Sequence, residues 1–249
     1  MEEKERMKNL HIQKTKTLPV DTICGLLTFE INGQDVCLVR NKTRYLEVPR
    51  HAFTNKQLQD MQLSTLPHLL KHAARVTCNF SLKSGFSIRA NQQDAYDAMV
   101  TKYSSVVGKT GLHEGGVLNL ACGKGKTFLG LCLSSTLRVK TIIVSPQKAH
   151  LENWKLELEK FFDFDGTTGW IQGKKRERDA DIIFATVQTL ANMVDKGEAI
   201  PDDIGLAIYD ECHGMSAMHF AKAANIFGGH RLGLSATPNR TDKNEGIFL

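Results

Sequence analysis

From Ile88 onward, short apolar runs alternate with longer stretches whose apolar residues recur at helical spacing. Six runs predict buried strands: Val117 to Leu120, Thr141 to Ser145, Gly169 to Gln172, Asp181 to Thr186, Leu206 to Asp210 and Arg231 to Ser235. Between them, helices are predicted over Gln92 to Tyr103, Lys126 to Ser135, Ala149 to Phe162, Val187 to Asp195 and Ala217 to Phe227. Continuous apolar strands separated by helices are the pattern of a parallel sheet covered on both faces, so an α/β lobe is expected over residues 87–249. The Gly-containing stretches "VGKTGLHEGG" and "FDFDGTTG" are expected to be loops, and the run "KKRER" from Lys174 to Arg178 a solvated helix start or loop.

Before Ile88 the texture differs. Asn32-Gly33 sits between two β-rich segments, a strong hairpin signal, and a further strand is expected over Tyr45 to Val48. Short helical pieces interrupted at Pro67, with Thr54 or Asn55 as a cap, complete a small α+β domain expected over residues 1–86.

Composition adds little until charge is divided along the chain. The 249 residues are 41% hydrophobic and 24% charged, an ordinary balance for a globular protein. Residues 1–90 carry 14 Lys+Arg against 8 Asp+Glu, a net of +6, whereas residues 91–249 carry 18 against 19, a net of −1. A basic excess concentrated in the first domain suits a polyanionic partner such as nucleic acid. The start of the chain is charged and no apolar run approaches the length of a membrane span, so no signal peptide, anchor or membrane partner is expected. Six cysteines without CxxC or zinc-type spacing suit reduced thiols and an intracellular, cytoplasmic setting.

Two segments carry candidate chemistry. In "GGVLNLACGKGKTFLGLCL" a glycine-rich break separates a predicted strand from a predicted helix. Such a turn aims backbone N–H groups and the positive end of the helix dipole at one point, which suits a phosphate chain. In the P-loop pattern the lysine reaches the terminal phosphates and the next hydroxyl holds magnesium, roles that fall here to Lys126 and Thr127; the pattern's first glycine is replaced by Leu120. In "IGLAIYDECHG" an apolar run ends in Asp210 and Glu211, which would emerge at the C-terminal edge of the sheet, where open α/β sheets bind ligands. One carboxylate, Asp210, can hold Mg2+ while its neighbour Glu211 deprotonates a water.

Taken in order, "ACGKGKT", "DECH" and "SAT" resemble motifs I, II and III of superfamily 2 helicases and translocases. "IRANQQDA" resembles the adenine-reading segment, "IIVSPQKAHLENWKLEL" motif Ia, "DIIFATVQTL" the TxQ segment, and "RLGLSATPNRTD" the GLTATPxRxD ending. The last form and "CGKGKT" resemble the branch of phage branch-migration helicases, XPB-like repair translocases and restriction motor subunits, over about residues 88–242. The resemblance implies a RecA-like lobe that uses ATP and Mg2+. It implies adenine contact by Gln92 with Arg89, and phosphate contact by Cys122, Gly123, Lys124, Gly125, Lys126 and Thr127. It also implies coupling roles for His213, Ser235, Ala236 and Thr237, and contact with a DNA backbone by Pro146, Gln147, Lys148, Thr186 and Gln188. Asn91 stands where the family usually has an aromatic residue.

Motors of this family close ATP against a second RecA-like lobe whose arginine contributes about 10³- to 10⁵-fold in rate. The sequence stops shortly after motif III, so the expectation is the N-terminal half of an ATP-dependent DNA helicase or translocase, with slow turnover by itself. A restriction-system motor, an RNA helicase and a non-unwinding, ATP-responsive nucleic-acid clamp remain alternatives.

Overall fold

The computed structural model describes residues 9–13, 20–26, 28–31, 34–37, 39–41, 45–49, 60–61, 74–104, 115–212, 223, 226–227 and 229–236. The early residues form β1 (Asn9–Gln13), α1 (Val20–Leu26), β2 (Thr28–Ile31), β3 (Gln34–Cys37), β4 (Arg40–Asn41) and β5 (Tyr45–Pro49). β2 and β3 pair antiparallel with Ile31 opposite Gln34, so the connection is the two residues Asn32 and Gly33, as the hairpin signal predicts. β5 lies between β1 and β4 in an antiparallel three-stranded sheet. The helical pieces expected around Pro67 lie outside the described residues apart from Asp60 and Met61.

The lobe contains β6 (Phe80–Leu82), α2 (Ala90–Ser104), β7 (Gly115–Asn119), α3 (Lys126–Leu137), β8 (Thr141–Ser145), α4 (Lys148–Phe161) and β9 (Phe162–Phe164). It continues with β10 (Thr168–Gln172), β11 (Lys175–Arg176), β12 (Ile182–Thr186), α5 (Val187–Asp195), β13 (Leu206–Tyr209) and β14 (His230–Ser235). Seven strands make one sheet in the order β11-β10-β12-β8-β13-β14-β7, parallel throughout except for β11 at the edge. The predicted α/β lobe with a parallel sheet is therefore present.

Side chains alternate across this sheet with period two. Ile143, Phe184 and Ile208 share one face, where α3 and α4 pack, through Leu129, Leu131, Leu133, Trp154 and Leu158. Ile142, Val144, Ile183, Ala185, Ala207 and Tyr209 share the other, with Leu190 and Met193 of α5. Both faces are covered, which is why these strands read as uninterrupted apolar runs. α3 is buried continuously from Leu129 to Ser134, as a helix must be when neighbours surround it.

Three expectations are corrected. The "KKRER" run contributes β11, paired through Gln172 to Lys175, because a tight turn at Gly173 (φ 55°) folds it onto β10. The "FDFDGTTG" loop begins as β9, which pairs with β6; Phe80 meets the rings of Phe162 and Phe164 edge-on at 5.5 and 5.0 Å. Residues 74–86, assigned above to the first domain, are bonded into the lobe: Ala74 N–H to Asp203 O, Lys140 N–H to Ala74 O, and Lys83 N–H to Phe161 O. The predicted helix Ala217 to Phe227 and the linker through residue 114 lie largely outside the described residues.

Candidate active site

Because β13, β14 and β7 are adjacent and parallel, the segments that follow them leave the sheet at the same edge. These segments are the glycine-rich loop, the Asp210-Glu211 pair and the Ser235-Ala236 pair. β8, on the other side of β13, delivers α4 to the same edge. Between them lies a cleft of about 390 Å³ lined by Cys122, Gly123, Gly125, Lys126, Thr127, His150, Asn153, Glu157, Asp210 and Glu211.

The loop depends on two glycines. Gly123 and Gly125 have φ of 74° and 85°, a left-handed geometry that costs an L side chain about 1–2 kcal/mol. Gly125 is also the residue on which α3 opens, and a Cβ there would strike the Gln92 amide. Leu120 needs no glycine, because its φ is not positive. Its N–H donates to Ser235 O at 3.2 Å, and its carbonyl accepts the Lys126 ammonium at 2.9 Å. Lys126 is buried, its ammonium held inside the loop.

Gln92 is buried at the start of α2. Its Nε2 donates to Lys124 O at 2.8 Å and its Oε1 accepts the Arg89 N–H at 3.1 Å. Gln92 therefore ties α2 to the glycine-rich loop, while Arg89 is exposed.

Asp210 continues the sheet ladder by donating its N–H to Val144 O at 2.8 Å, and the chain then turns sharply at Glu211 with φ 49°. A non-glycine residue in this region is uncommon, and such strain is found preferentially at functional sites. Asp210 Oδ2 accepts the Trp154 indole N–H at 2.8 Å, and Oδ1 accepts the Glu211 N–H at 3.0 Å. Burial pushes the Asp210 carboxyl above its ordinary range; the Trp154 hydrogen bond opposes this and the Glu211 charge adds to it. Burial likewise raises Glu157, with Asp210 adding to the effect. A cleft that crowds acids in this way favours a cation.

His150, Asn153 and Glu157, to which the sequence expectations assign no role, also line the cleft. They follow the spacing i, i+3, i+7 along α4, and this polar stripe directly after a buried strand is the signal that could have found them. His150 Nδ1 lies 3.2 Å from Ser145 Oγ.

The Ser235-Ala236 pair sits against the root of the glycine-rich loop. Ser235 pairs with Asn119 across β14 and β7, and the Asn119 amide, oriented with its nitrogen towards them, donates to Ser235 O and Ala236 O at 3.2 and 3.3 Å. His213 and Thr237 lie outside the described residues. Of the residues expected on nucleic acid, Gln147, Lys148 and Gln188 are exposed and Pro146 is half-buried. Lys148 pairs with Glu152 at 2.6 Å, and Gln188 donates to Asn192. Thr186 is buried, its hydroxyl 2.8 Å from that of Thr189.

One consequence is directly measurable. Cys122 is exposed in the cleft, whereas Cys132 is buried and its thiol pushed up to about 12 by that burial. Brief maleimide treatment followed by peptide mass spectrometry should label Cys122 and spare Cys132, and ATP should slow the labelling of Cys122 selectively over that of exposed Cys37.

These features define a class: a RecA-like, nucleotide-binding lobe carrying the ordered motifs of a superfamily 2 helicase. Residues 85–240 match the family described as "Type III restriction enzyme, res subunit" (ResIII), and the chain belongs to that family. It is similar to the DNA 3'-5' translocase XPB2 of Sulfurisphaera tokodaii, 31% identical over 134 residues, covering 53% of this chain and 29% of the relative. It is also similar to the DNA 3'-5' helicase XPB of Kineococcus radiotolerans, at 28% over 173 residues, covering 66% and 28%. A third relative is the probable helicase D10 of Escherichia phage T5, at 29% over 133 residues, covering 53% and 28%. The chain thus spans less than a third of the length of these relatives. Among solved structures, the Sulfolobus solfataricus SWI2/SNF2 ATPase core in complex with dsDNA matches with a TM-score of 0.53 at 20% identity, covering 73% of this chain and 37% of that one. At that identity the likeness speaks for the fold. No helix among the described residues is long and apolar enough to cross a membrane.

Proposed function

We propose that this chain is the ATP-binding lobe of an ATP-dependent DNA translocase or helicase acting on duplex or branched DNA, as in DNA repair or recombination. The observation that carries the reading is the convergence of the loops after β7 and β13 on one cleft, with Lys126 and Thr127 lining it together with Asp210 and Glu211. The family membership and the XPB-like relatives support it.

The donor set suits Mg2+: the Thr127 hydroxyl and the Asp210 carboxylate are hard oxygen ligands in the same cleft, and the buried acid gains from a cation. When bound, Mg2+ would neutralise charge on the phosphates. Lys126 would leave the Leu120 carbonyl for the terminal phosphates, the loop N–H groups would cradle the chain, and Glu211 would orient a water and take its proton. Gln92, with Arg89, is assigned the adenine. A second RecA-like lobe would supply the arginine. The Asn119 link from the phosphate loop to Ser235 and Ala236 is a route by which nucleotide state reaches motif III, with His213 and Thr237 as its further members.

Gln147, Lys148 and Gln188 are assigned to a strand's backbone, with Pro146 and Thr186 holding the turns that carry them. Phosphate contact carries no sequence information, which suits travel along DNA. Residues 1–73 carry 11 Lys+Arg against 8 Asp+Glu, a net of +3, which supports a second DNA-engaging surface in the small domain.

The test is fluorescence anisotropy against single-stranded, duplex and forked DNA and matched RNA, over a salt series, with and without a non-hydrolysable ATP analogue. Duplex or forked DNA should bind most tightly, with an affinity that shifts with nucleotide. The log–log salt slope should be about −0.9 per phosphate neutralised. Preference for RNA, or nucleotide-independent binding, would defeat the proposal.

A further inference from the structure

Trp154 is wholly buried, and none of the chemistry above uses it. Its single donor, the indole N–H, is directed at Asp210 Oδ2, while the Glu211 N–H holds Oδ1. A carboxylate fixed by one donor on each oxygen cannot turn about its Cβ–Cγ bond without losing both.

The far edge of the same ring rests on α3. A Cβ added at Gly130 would lie 2.7 Å from Trp154 Cη2 and 3.3 Å from Cζ3, too close for the ring to stay where it is. Glycine in a helix interior is unfavourable by about 0.8–1.0 kcal/mol relative to alanine, so packing against the ring gives a physical reason for it here. α3 opens at Lys126 and Thr127, so one rigid side chain bridges the helix that carries the phosphate-binding groups and the acid across the cleft. A position serving packing alone would be filled by phenylalanine without the burden of a buried N–H that needs a partner.

We infer that Trp154 is a positioning residue: wedged against Gly130, its indole N–H sets the orientation of the Asp210 carboxylate for the cation that accompanies the nucleotide. This rests on the assignment of Asp210 to that cation. The position of α4 is set by the sheet and its own core contacts, Leu151 and Leu158, so the ring is held independently of the acid it orients.

Two substitutions separate orientation from packing. Trp154→Phe keeps a buried aromatic ring and removes the donor; Gly130→Ala keeps the donor and displaces the ring. For each, the affinity of a fluorescent ATP analogue is measured with and without Mg2+, and the ratio is compared with that of the parent chain. Partners that orient metal ligands are typically worth 10- to 100-fold, so the Mg2+ enhancement is expected to fall by about tenfold or more in both variants. With Trp170 replaced by phenylalanine, Trp154 is the remaining tryptophan, and its emission should change when Mg2+ and nucleotide are added together. A ratio within about twofold of the parent in both variants, or an equal loss with and without Mg2+, would overturn the positioning role. If the parent chain itself binds nucleotide no better with Mg2+, the metal assignment of Asp210 falls and takes this inference with it.

Discussion

Glu211→Gln is expected to lower ATP turnover by about 10²- to 10⁴-fold, the span that a positioned general base contributes, while nucleotide still binds. Glu211 lines the cleft beside Asp210 and stands in a left-handed conformation that aims the chain sharply away from β13. Glutamine has the same length and the same backbone preference, and its amide can still orient a water. It cannot take a proton, so the loss should fall on turnover. The Glu211 N–H that holds Asp210 Oδ1 belongs to the backbone and survives the substitution, which keeps the neighbouring acid in place. Single-turnover phosphate release, with protein in excess over ATP and DNA present, is the measurement. An unchanged rate would remove Glu211 from the chemistry and favour a protein that binds nucleotide as a switch. Nucleotide-dependent DNA binding that survives the substitution is expected on either account and does not separate them.

The lobe was legible because its strands are buried on both faces. Thr141 to Ser145 and Val187 to Asp195 have their predicted bounds, since an apolar run between polar residues marks where a central strand or its covering helix begins and ends. The glycine-rich loop was legible for a different reason: glycine at 123 and 125 is demanded by backbone geometry. What escaped depends on contacts distant in sequence. β6 exists because β9, some eighty residues later, pairs with it and their phenylalanines interlock; neither segment alternates strongly enough to declare itself. Trp154 is wholly buried, yet burial cannot reveal that its one polar atom is aimed at Asp210. The bond joins residues 56 apart, and only the register of β8 beside β13 brings α4 over the acid.

Lys126→Ala should weaken ATP binding by about 10- to 150-fold, the equivalent of the 1.5–3 kcal/mol that a hydrogen bond to a charged group contributes. In the structure the ammonium donates to a neutral carbonyl, that of Leu120, at 2.9 Å. A phosphate oxygen is an ionised acceptor and makes a bond roughly twice as strong, so the exchange favours the nucleotide. Removing the lysine deletes that gain and leaves the Leu120 carbonyl without its donor. The fold should tolerate this, because alanine is the best helix former at the first position of α3 and the rest of that helix is held by Leu129, Leu131 and Leu133. Competition binding with ATP, ADP and adenosine distinguishes the causes. If Lys126 acts on the phosphates, adenosine affinity is unaffected and the loss grows with phosphate number. If adenosine weakens equally, the substitution has instead disturbed the Gln92 to Lys124 tie that joins α2 to the loop, and the lysine's part is to hold the loop in shape.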